Sequence, residues 1–199
     1  MKLYAISKIF YSVQSEGVHA GLPAVFIRFG RCNPQTRREP SGFDWDDVVP
    51  LRDRMTANEV AKLARICNFR CRWVVLTGSE PEAQLDSDLV DALRGVGFYI
   101  AVETAGTAAL DHVAVDWLTI SPKPGEELRV KTADEVKCAV RYGDPIPSAP
   151  LPARNYILMP ALDGDQFDKR NLEWCRELVK HNPPWQLSVQ TGRIRTGKW

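Results

Sequence analysis

The chain has 199 residues, a length typical of one domain with a single hydrophobic core, so we expect residues 1–199 to form one domain. Its 26 lysines and arginines nearly balance its 25 aspartates and glutamates, and the net charge of +1 predicts no nucleic-acid partner and no membrane partner. The sequence has no apolar run long enough for a signal peptide or a transmembrane helix, which predicts a cytoplasmic protein.

The first predicted elements are a strand, a loop and a helix. Residues 24–29 are apolar, rich in β-branched and aromatic side chains and bounded by glycine and proline, which predicts a buried strand. Residues 30–50 are polar and lack periodicity, which predicts a long loop. The capping-box pattern from Thr56 to Glu59 predicts the start of a helix that ends near Ile66.

The next elements have the pattern of a β-α-β unit. A strand is predicted at residues 73–77, where Gly78 ends it. A helix capped by Asp86 or Ser87 follows, and residues 98–102 form the next predicted strand. Two strands joined by a helix usually pair in parallel, so we expect a parallel sheet here.

The remaining chain continues this alternation. Further strands are predicted at residues 117–120, 136–140, 156–159 and 186–190, with a helix over about residues 166–180. Alternating strands and helices predict an α/β domain, either with an open sheet or as a partial barrel. Because ligands bind beyond the carboxyl ends of parallel strands in such folds, polar motifs that follow strands are candidate binding groups.

Short polar motifs occur at several predicted strand ends and before the first core strand. Each is weak alone, but in this order they closely resemble the motifs of the 7-carboxy-7-deazaguanine synthases, radical S-adenosylmethionine enzymes of queuosine biosynthesis. The resemblance covers nearly the whole chain. The motifs are Q-S-E-G at residues 14–17, F-I-R-F-G-R-C-N at 26–33, T-G-S-E-P at 77–81, E-T-A-G at 103–106, S-P-K at 121–123 and Q-T-G-R at 190–193.

The resemblance implies a fold, an activity and a set of cofactors. The fold is an incomplete α/β barrel with mostly parallel strands, in a homodimer. The implied lyase reaction converts 6-carboxy-5,6,7,8-tetrahydropterin to 7-carboxy-7-deazaguanine with release of ammonia. In the family, three cysteines hold a [4Fe–4S] cluster, an electron from which cleaves S-adenosylmethionine to a 5′-deoxyadenosyl radical. Mg²⁺ and a reductant such as flavodoxin are implied as well.

The resemblance also implies roles for individual residues, none of them as a catalytic acid or base. Arg28 is notable on its own, because an unpaired guanidinium inside an apolar strand is costly and indicates a structural acid or a ligand carboxylate as its partner. The implied substrate-binding residues are Val13, Gln14, Ser15, Glu16, Arg28 and Thr77. The implied cofactor-binding residues are Ser79, Glu80, Glu103, Ser121 and Lys123, with Cys32 as the first cluster ligand.

The sequence departs from the family pattern where the chemistry is most demanding. Thr36 and Glu39 stand where short-spaced members have the second and third cluster cysteines. In the other motifs, Ser15 and Ser79 stand where the family has glycine, Ala105 stands where it has asparagine, and Gly192 stands where it has histidine. Two alternatives to an active synthase therefore stay open. They are a non-catalytic pterin- or purine-binding relative, and an engineered variant of the family that keeps only the fold.

Two further cysteines, Cys67 and Cys71, have spacing that resembles part of a cluster motif. Cys71 precedes the strand that leads to Gly78, whereas Cys32 follows its own strand. Seven strand residues at roughly 3.3 Å each put Cys71 roughly 23 Å from the carboxyl edge. We therefore expect Cys67 and Cys71 to be helix-end or buried thiols. An odd set of five cysteines also predicts no disulfide framework.

Overall fold

A computed structural model of the protein describes residues 2–30, 53–78, 81–163 and 166–191. Three α-helices and one short 3-10 helix, Pro81–Ala83, lie in this part of the chain; the α-helices are α1 (Ala57–Cys67), α2 (Ser87–Gly95) and α3 (Lys169–His181). The strands are β1 (Tyr4–Val13), β2 (Pro23–Phe29), β3 (Asp53–Met55), β4 (Trp73–Gly78), β5 (Tyr99–Thr104), β6 (Trp117–Ile120), β7 (Ala133–Val140), β8 (Ala153–Pro160), β9 (Leu162–Asp163), β10 (Gln166–Phe167) and β11 (Trp185–Leu187).

Nine of these strands form one open sheet in the order β11-β8-β7-β6-β5-β4-β2-β1-β3. From β2 to β11 each neighbouring pair is parallel, whereas β1 pairs antiparallel with both β2 and β3. Strands β9 and β10 form a separate two-stranded pair. Because the parallel strands all run in one direction, their carboxyl ends meet at one edge of the sheet.

Side chains of each parallel strand alternate between two faces of this sheet. One face packs against α1 and α2, where Ile27 and Leu76 join Val60 and Leu89 in the main core. The opposite face, here called the inner face, carries a smaller apolar cluster of Ala24, Phe26, Val75 and Ala101, with Phe10, Trp73 and Trp117 packed against it. The alternation of side chains along each strand therefore determines which residues lie on the inner face at its carboxyl end.

The helices begin where local chemistry satisfies their free backbone N–H groups. At α1 the Thr56 hydroxyl accepts from the Glu59 N–H at 3.3 Å, and the Glu59 carboxylate accepts from the Thr56 N–H at 2.8 Å. At α2 the Asp86 side chain accepts from the Leu89 N–H at 3.1 Å. Within the described residues, none of the helices combines the length and the apolar composition needed to cross a bilayer.

The predicted strands at residues 24–29, 73–77 and 117–120 and the helix from Thr56 are confirmed. The structure adds β1, in which Tyr4 to Ser7 are buried while the residues from Lys8 onward are partly or fully exposed, so that the strand has no uniform pattern. The last helix begins at Lys169 rather than 166, because residues 166–167 pair with β9. The final strand ends at Leu187 instead of residue 190. The loop predicted at residues 30–50 lies almost entirely outside the described residues.

A candidate ligand-binding site at the carboxyl edge

The carboxyl end of the inner face is lined by polar residues from successive strands. Arg28 of β2 lies opposite Thr77 of β4 in the strand register. Glu103 of β5 lies opposite Thr119 of β6, which in turn lies opposite Glu135 of β7. These residues follow the apolar inner cluster toward the carboxyl edge, so this edge has an apolar floor and a polar rim.

Lys137 of β7 lies at the centre of this polar region. Its Nζ is 2.7 Å from Glu16 Oε1 and 3.2 Å from Glu103 Oε1, and its side chain is only 2% exposed. Burial lowers the pKa of Lys137, but the charges of Glu103 and Glu16 outweigh burial and hold the pKa above its ordinary value. Lys137 is therefore a permanent cation that joins the loop after β1 to the end of β5.

Two glutamine side chains extend the network on either side of the lysine. Gln14 Nε2 donates to Glu103 Oε1 at 2.8 Å, while Gln14 Oε1 accepts from the Ser15 N–H at 2.9 Å. Gln190 Nε2 donates to Glu16 Oε2 at 2.7 Å. The side-chain oxygen of Gln190 is buried and accepts no hydrogen bond from the part of the chain that the structure describes. The loop after β1 and the last described residues thus meet at this site.

Glu135 connects the same strand to the backbone of the loop at residues 14–22. Its Oε2 accepts from the Val18 N–H at 2.6 Å and its Oε1 accepts from the Thr119 hydroxyl at 3.2 Å. Gly17 has a φ of 75°, and a Cβ on it would lie 2.5 Å from Glu135 Oε1. Glycine is therefore required in this turn by both the backbone angle and the close approach. Burial raises the pKa of the Glu135 carboxyl, and the Val18 N–H and Lys137 partly offset this.

Aromatic side chains cover the amino-edge part of the inner face. The ring of His19 lies 4.3 Å from that of Trp117 and 4.9 Å from that of Trp73, and Trp73 also contacts Tyr99. Trp117 Nε1 donates to the Thr119 hydroxyl at 3.0 Å. The loop at residues 14–22 therefore rests on an aromatic surface through His19.

The structure brings together four of the residues singled out in the sequence, Gln14, Ser15, Glu16 and Glu103. Arg28 and Thr77 lie on adjacent strands at the same edge, and the Ser121 N–H donates to Thr104 O directly after β6, two residues before Lys123. Val13 ends β1 and is 53% exposed as a residue. Cys32, Ser79 and Glu80 lie outside the described residues.

Sequence reasoning missed three members of the network: Lys137, Glu135 and Gln190. A local signal existed for two of them, since Glu135 and Lys137 alternate with the apolar Val136 and Cys138 in one strand. Two charges on one face of a buried strand indicate a partner on that face. Gln190 belongs to the Q-T-G-R motif, but its contact with Glu16 spans 174 positions of sequence and has no local signature.

This arrangement is chemically suited to a ligand rich in N–H donors. Oε1 of Glu103 is held by Gln14 and Lys137, and no described residue donates to its Oε2. The Glu103 side chain as a whole keeps 14% exposure. Glu16 and Glu135 add further carboxylates around one buried lysine. Acceptors of this kind bind the N–H edge of a heterocycle.

The described cysteines are placed away from this edge. Cys71 Sγ lies 3.5 Å from Pro23 O and 3.3 Å from Trp73 O, at the first residues of β2 and β4, which is the amino edge. Cys67 ends α1 and packs against the main core, as Cys71 does. Both are thiols of the helix-to-strand junction.

The other two described cysteines also face other parts of the fold. Cys138 packs with the main core on the helix-covered face of β7, and burial raises its pKa to about 11. Cys175 lies in α3 with no exposure, and burial raises its pKa to about 12. A [4Fe–4S] cluster held by three thiolates needs them within a few ångströms of one another. Of the five cysteines only Cys32, outside the described residues, is left for such a role, so the residues of this chain do not fit that cluster.

Comparisons with known proteins relate the whole chain to one enzyme family. The 7-carboxy-7-deazaguanine synthase of Bacteroides thetaiotaomicron is 34% identical over 194 residues, covering 95% of this chain and 96% of the relative. That of Burkholderia multivorans is 35% identical over 212 residues, covering 94% and 96%. No protein-family model matches the chain.

A solved structure supports the fold independently. The crystal structure of QueE from Escherichia coli superposes with a TM-score of 0.68 at 23% identity, and the match covers 95% of this chain and 94% of that one. Together with the open, mostly parallel sheet, this likeness confirms the predicted partial α/β barrel. The sequence-based resemblance to the synthases is confirmed by the curated relatives.

Proposed function

The chain belongs to the 7-carboxy-7-deazaguanine synthase family, and we propose that its carboxyl-edge site binds the heterocycle of that family without cluster-dependent turnover. The expected ligands are 6-carboxy-5,6,7,8-tetrahydropterin and 7-carboxy-7-deazaguanine. The observation that carries the proposal is Glu103, a partly exposed carboxylate whose Oε1 is fixed by Gln14 and Lys137 and whose Oε2 receives no hydrogen bond from the described residues. A structural ion pair alone does not require such a partly exposed carboxylate.

The chemistry of the ligand matches the site. A 2-amino-4-oxopyrimidine ring presents two adjacent N–H donors, and carboxylates accept such paired bonds strongly. The inner cluster around Phe26 and Val75 supplies an apolar floor for the flat ring. Arg28, at the same edge, is the candidate partner for the ligand's carboxylate, because a guanidinium matches carboxylate geometry.

Binding without turnover is favoured by the placement of the cysteines. Four of five lie in the helix-facing core, in α3 or at the amino edge, and the family's cluster requires three together. The second candidate is turnover as a synthase. It is favoured by 34% identity to a synthase over 95% of this chain.

One experiment separates the two candidates. The protein is first titrated with 6-carboxytetrahydropterin before any iron is added. It is then reconstituted anaerobically with iron and sulfide, and assayed with S-adenosylmethionine and a reductant. We expect binding in the first stage, and in the second neither about four irons per chain, the content of one cubane cluster, nor 7-carboxy-7-deazaguanine.

Other outcomes would change the conclusion. Product formation with stoichiometric iron would establish the synthase and refute binding without turnover. Absence of binding in the first stage, with a folded protein, would leave only a scaffold that keeps the fold of the family. Arg28→Ala tests the pocket further, since loss of a charged hydrogen bond is expected to weaken binding about tenfold or more.

A further inference from the structure

The loop at residues 14–22 is a turn between antiparallel strands, and it carries Gln14 and Glu16 at its start. Its own hairpin supplies backbone hydrogen bonds: the Gln14 N–H donates to Leu22 O and the Gly21 N–H to Gln14 O, both at 2.8 Å. These bonds fix the base of the loop. A further turn bond runs from the Ala20 N–H to Gly17 O at 3.2 Å, and residues 15–18 extend from this turn over the inner face.

Strand β7 and the last described residues both contact residues 15–18 of the loop. The Ser188 hydroxyl accepts from the Gly17 N–H at 2.9 Å, and the Thr191 N–H donates to Ser15 O at 2.9 Å, while β7 makes its contacts through charged side chains.

Lys137 Nζ contacts Glu16 Oε1 at 2.7 Å, across 121 positions of sequence. Glu135 Oε2 accepts from the Val18 N–H at 2.6 Å, and its carboxylate lies against Gly17 so closely that a Cβ there would collide. One residue of β7 thus holds a loop side chain and another holds the loop backbone.

We propose that Glu135 and Lys137 are positioning residues. From β7 they fix the loop at residues 14–22, which carries Gln14 and Glu16, and through this loop they control the affinity of the site for its ligand. This inference rests on the proposed binding function. The two side chains are two residues apart on one strand and so project from the same face. Attachment at two points constrains both the position and the rotation of the loop, which a single contact does not do.

Glu135 offers the sharper test, because its carboxylate contacts the loop but not the partly exposed acceptor Glu103. The Thr119 hydroxyl holds the other oxygen of Glu135, so the carboxylate is oriented by the sheet itself. Loss of its acceptor would leave the Val18 N–H without this partner. The expected result is a loop that opens locally while the strands stay formed.

The experiment compares Glu135→Leu with Glu135→Gln, using 6-carboxypterin as a fluorescent probe of affinity. Glu135→Leu removes the acceptor and is expected to weaken binding about tenfold or more, the effect of losing one hydrogen bond to a charged group. Glu135→Gln keeps an oxygen for the Val18 N–H and is expected to recover binding to within about threefold of the parent.

A matched control distinguishes positioning from general destabilisation. Asp116 makes the same kind of bond at the amino edge, where its carboxylate accepts from the Ile100 N–H at 2.8 Å. Asp116→Leu is expected to lower thermal stability but to leave affinity within about twofold, because no ligand group depends on that bond. Equal loss of affinity in both leucine variants would overturn the proposal, as would unchanged affinity in Glu135→Leu.

Hydrogen–deuterium exchange of the Val18 amide provides a readout that needs no ligand. We expect faster exchange at Val18 in Glu135→Leu, recovery in Glu135→Gln, and no change in Asp116→Leu. If Glu135→Leu does not fold, Glu135→Asp, which shortens the side chain, is expected to show the same loss of protection. Failure of the parent protein to bind the probe would refute the binding function, while unchanged Val18 exchange in the variants would refute the positioning role.

Discussion

The two ends of the inner face differ in how they are held together. At the amino edge, aromatic rings of Trp73, Trp117 and His19 pack on one another, and Cys71 donates to backbone carbonyls. At the carboxyl edge, charged side chains are buried around Lys137. The same strands therefore carry an apolar region and an ionic region only a few residues apart.

This difference shows which end is suited to function. Aromatic packing stabilises a fold directly, whereas a buried ion pair gives little net stability because of the cost of removing charges from water. Titratable groups with shifted pKa values, such as Lys137 and Glu135, are frequent at functional sites. We infer that the amino edge supports the fold and the carboxyl edge is kept for binding.

The largest expected effect comes from Lys137→Met, which removes the cation at the centre of the ionic region. Glu16 and Glu103 would then be buried without their ammonium partner, and breaking a buried pair in this way costs about 3–5 kcal/mol. Urea unfolding measures the loss. Lys180→Met is the control, because Lys180 pairs with Glu177 on the surface and such pairs contribute about 0–1 kcal/mol. Similar losses of unfolding free energy in both variants would show that the buried ion pairs of Lys137 matter no more for stability than a surface pair.

Trp117→Ala tests the opposite end. Trp117 is half-buried, so its loss should cost about 2 kcal/mol of unfolding free energy, less than the roughly 3–5 kcal/mol for a fully buried tryptophan. Affinity for 6-carboxypterin should change less than about threefold if the two ends are separate in function. If Trp117→Ala reduced the free energy of binding by more than it reduced the free energy of unfolding, the amino edge would not be separate from binding.

Glu103→Gln should lower affinity more than stability, which is the reverse of the effect expected for Trp117→Ala. The amide keeps the shape and one acceptor oxygen, and Lys137 retains Glu16, so unfolding free energy should fall by less than about 1 kcal/mol. The ligand loses a charged acceptor, and affinity should fall about tenfold. Calorimetric titration of this variant beside Trp117→Ala measures both patterns. An unchanged affinity would show that Glu103 does not accept hydrogen bonds from the ligand's N–H edge.

The smallest expected effect concerns the pH dependence of stability through His19. Burial lowers the pKa of His19 below its ordinary 6.5, with Asp134 and Glu103 partly opposing the shift. The unfolded chain therefore binds this proton at a higher pH than the folded chain does. The contribution of His19 to stability is complete above about pH 6.5 and is lost as the pH falls through the folded pKa.

His19→Phe removes this proton while keeping an aromatic ring over Trp117. Between about pH 7.5 and about pH 5.5 the thermal midpoint of the parent should fall further than that of His19→Phe, since other groups titrate alike in both proteins. Parallel pH profiles for the two proteins would show that His19 does not titrate differently on folding.

The sequence predicts the elements whose signals are local. The capping box of Thr56 and Glu59 and the apolar run of β2 are confirmed, because each depends on residues within a few positions. Strand β3 was not predicted, since its three residues, 53–55, are strand only through pairing with β1. Long-range pairing of this kind leaves no periodic pattern to detect.

The candidate site shows the same limit. Gln14, Glu16 and Glu103 were found through the resemblance of their motifs, and the structure places them together. Lys137 was not found: its alternation with apolar residues indicates that a charged partner lies on the same face, but not which residue this is, because its partners lie 121 and 34 positions away. Tertiary structure was needed to show that Glu135 and Lys137 hold the loop.

Calorimetric titration of the iron-free protein with 6-carboxypterin is the most direct test of binding at the carboxyl edge without a cluster. We predict saturable binding at one site per chain, weakened about tenfold in Glu103→Gln because a charged acceptor is lost, and retained in Trp117→Ala. Binding that is absent from the iron-free protein and gained only after a cluster has been assembled would contradict this prediction.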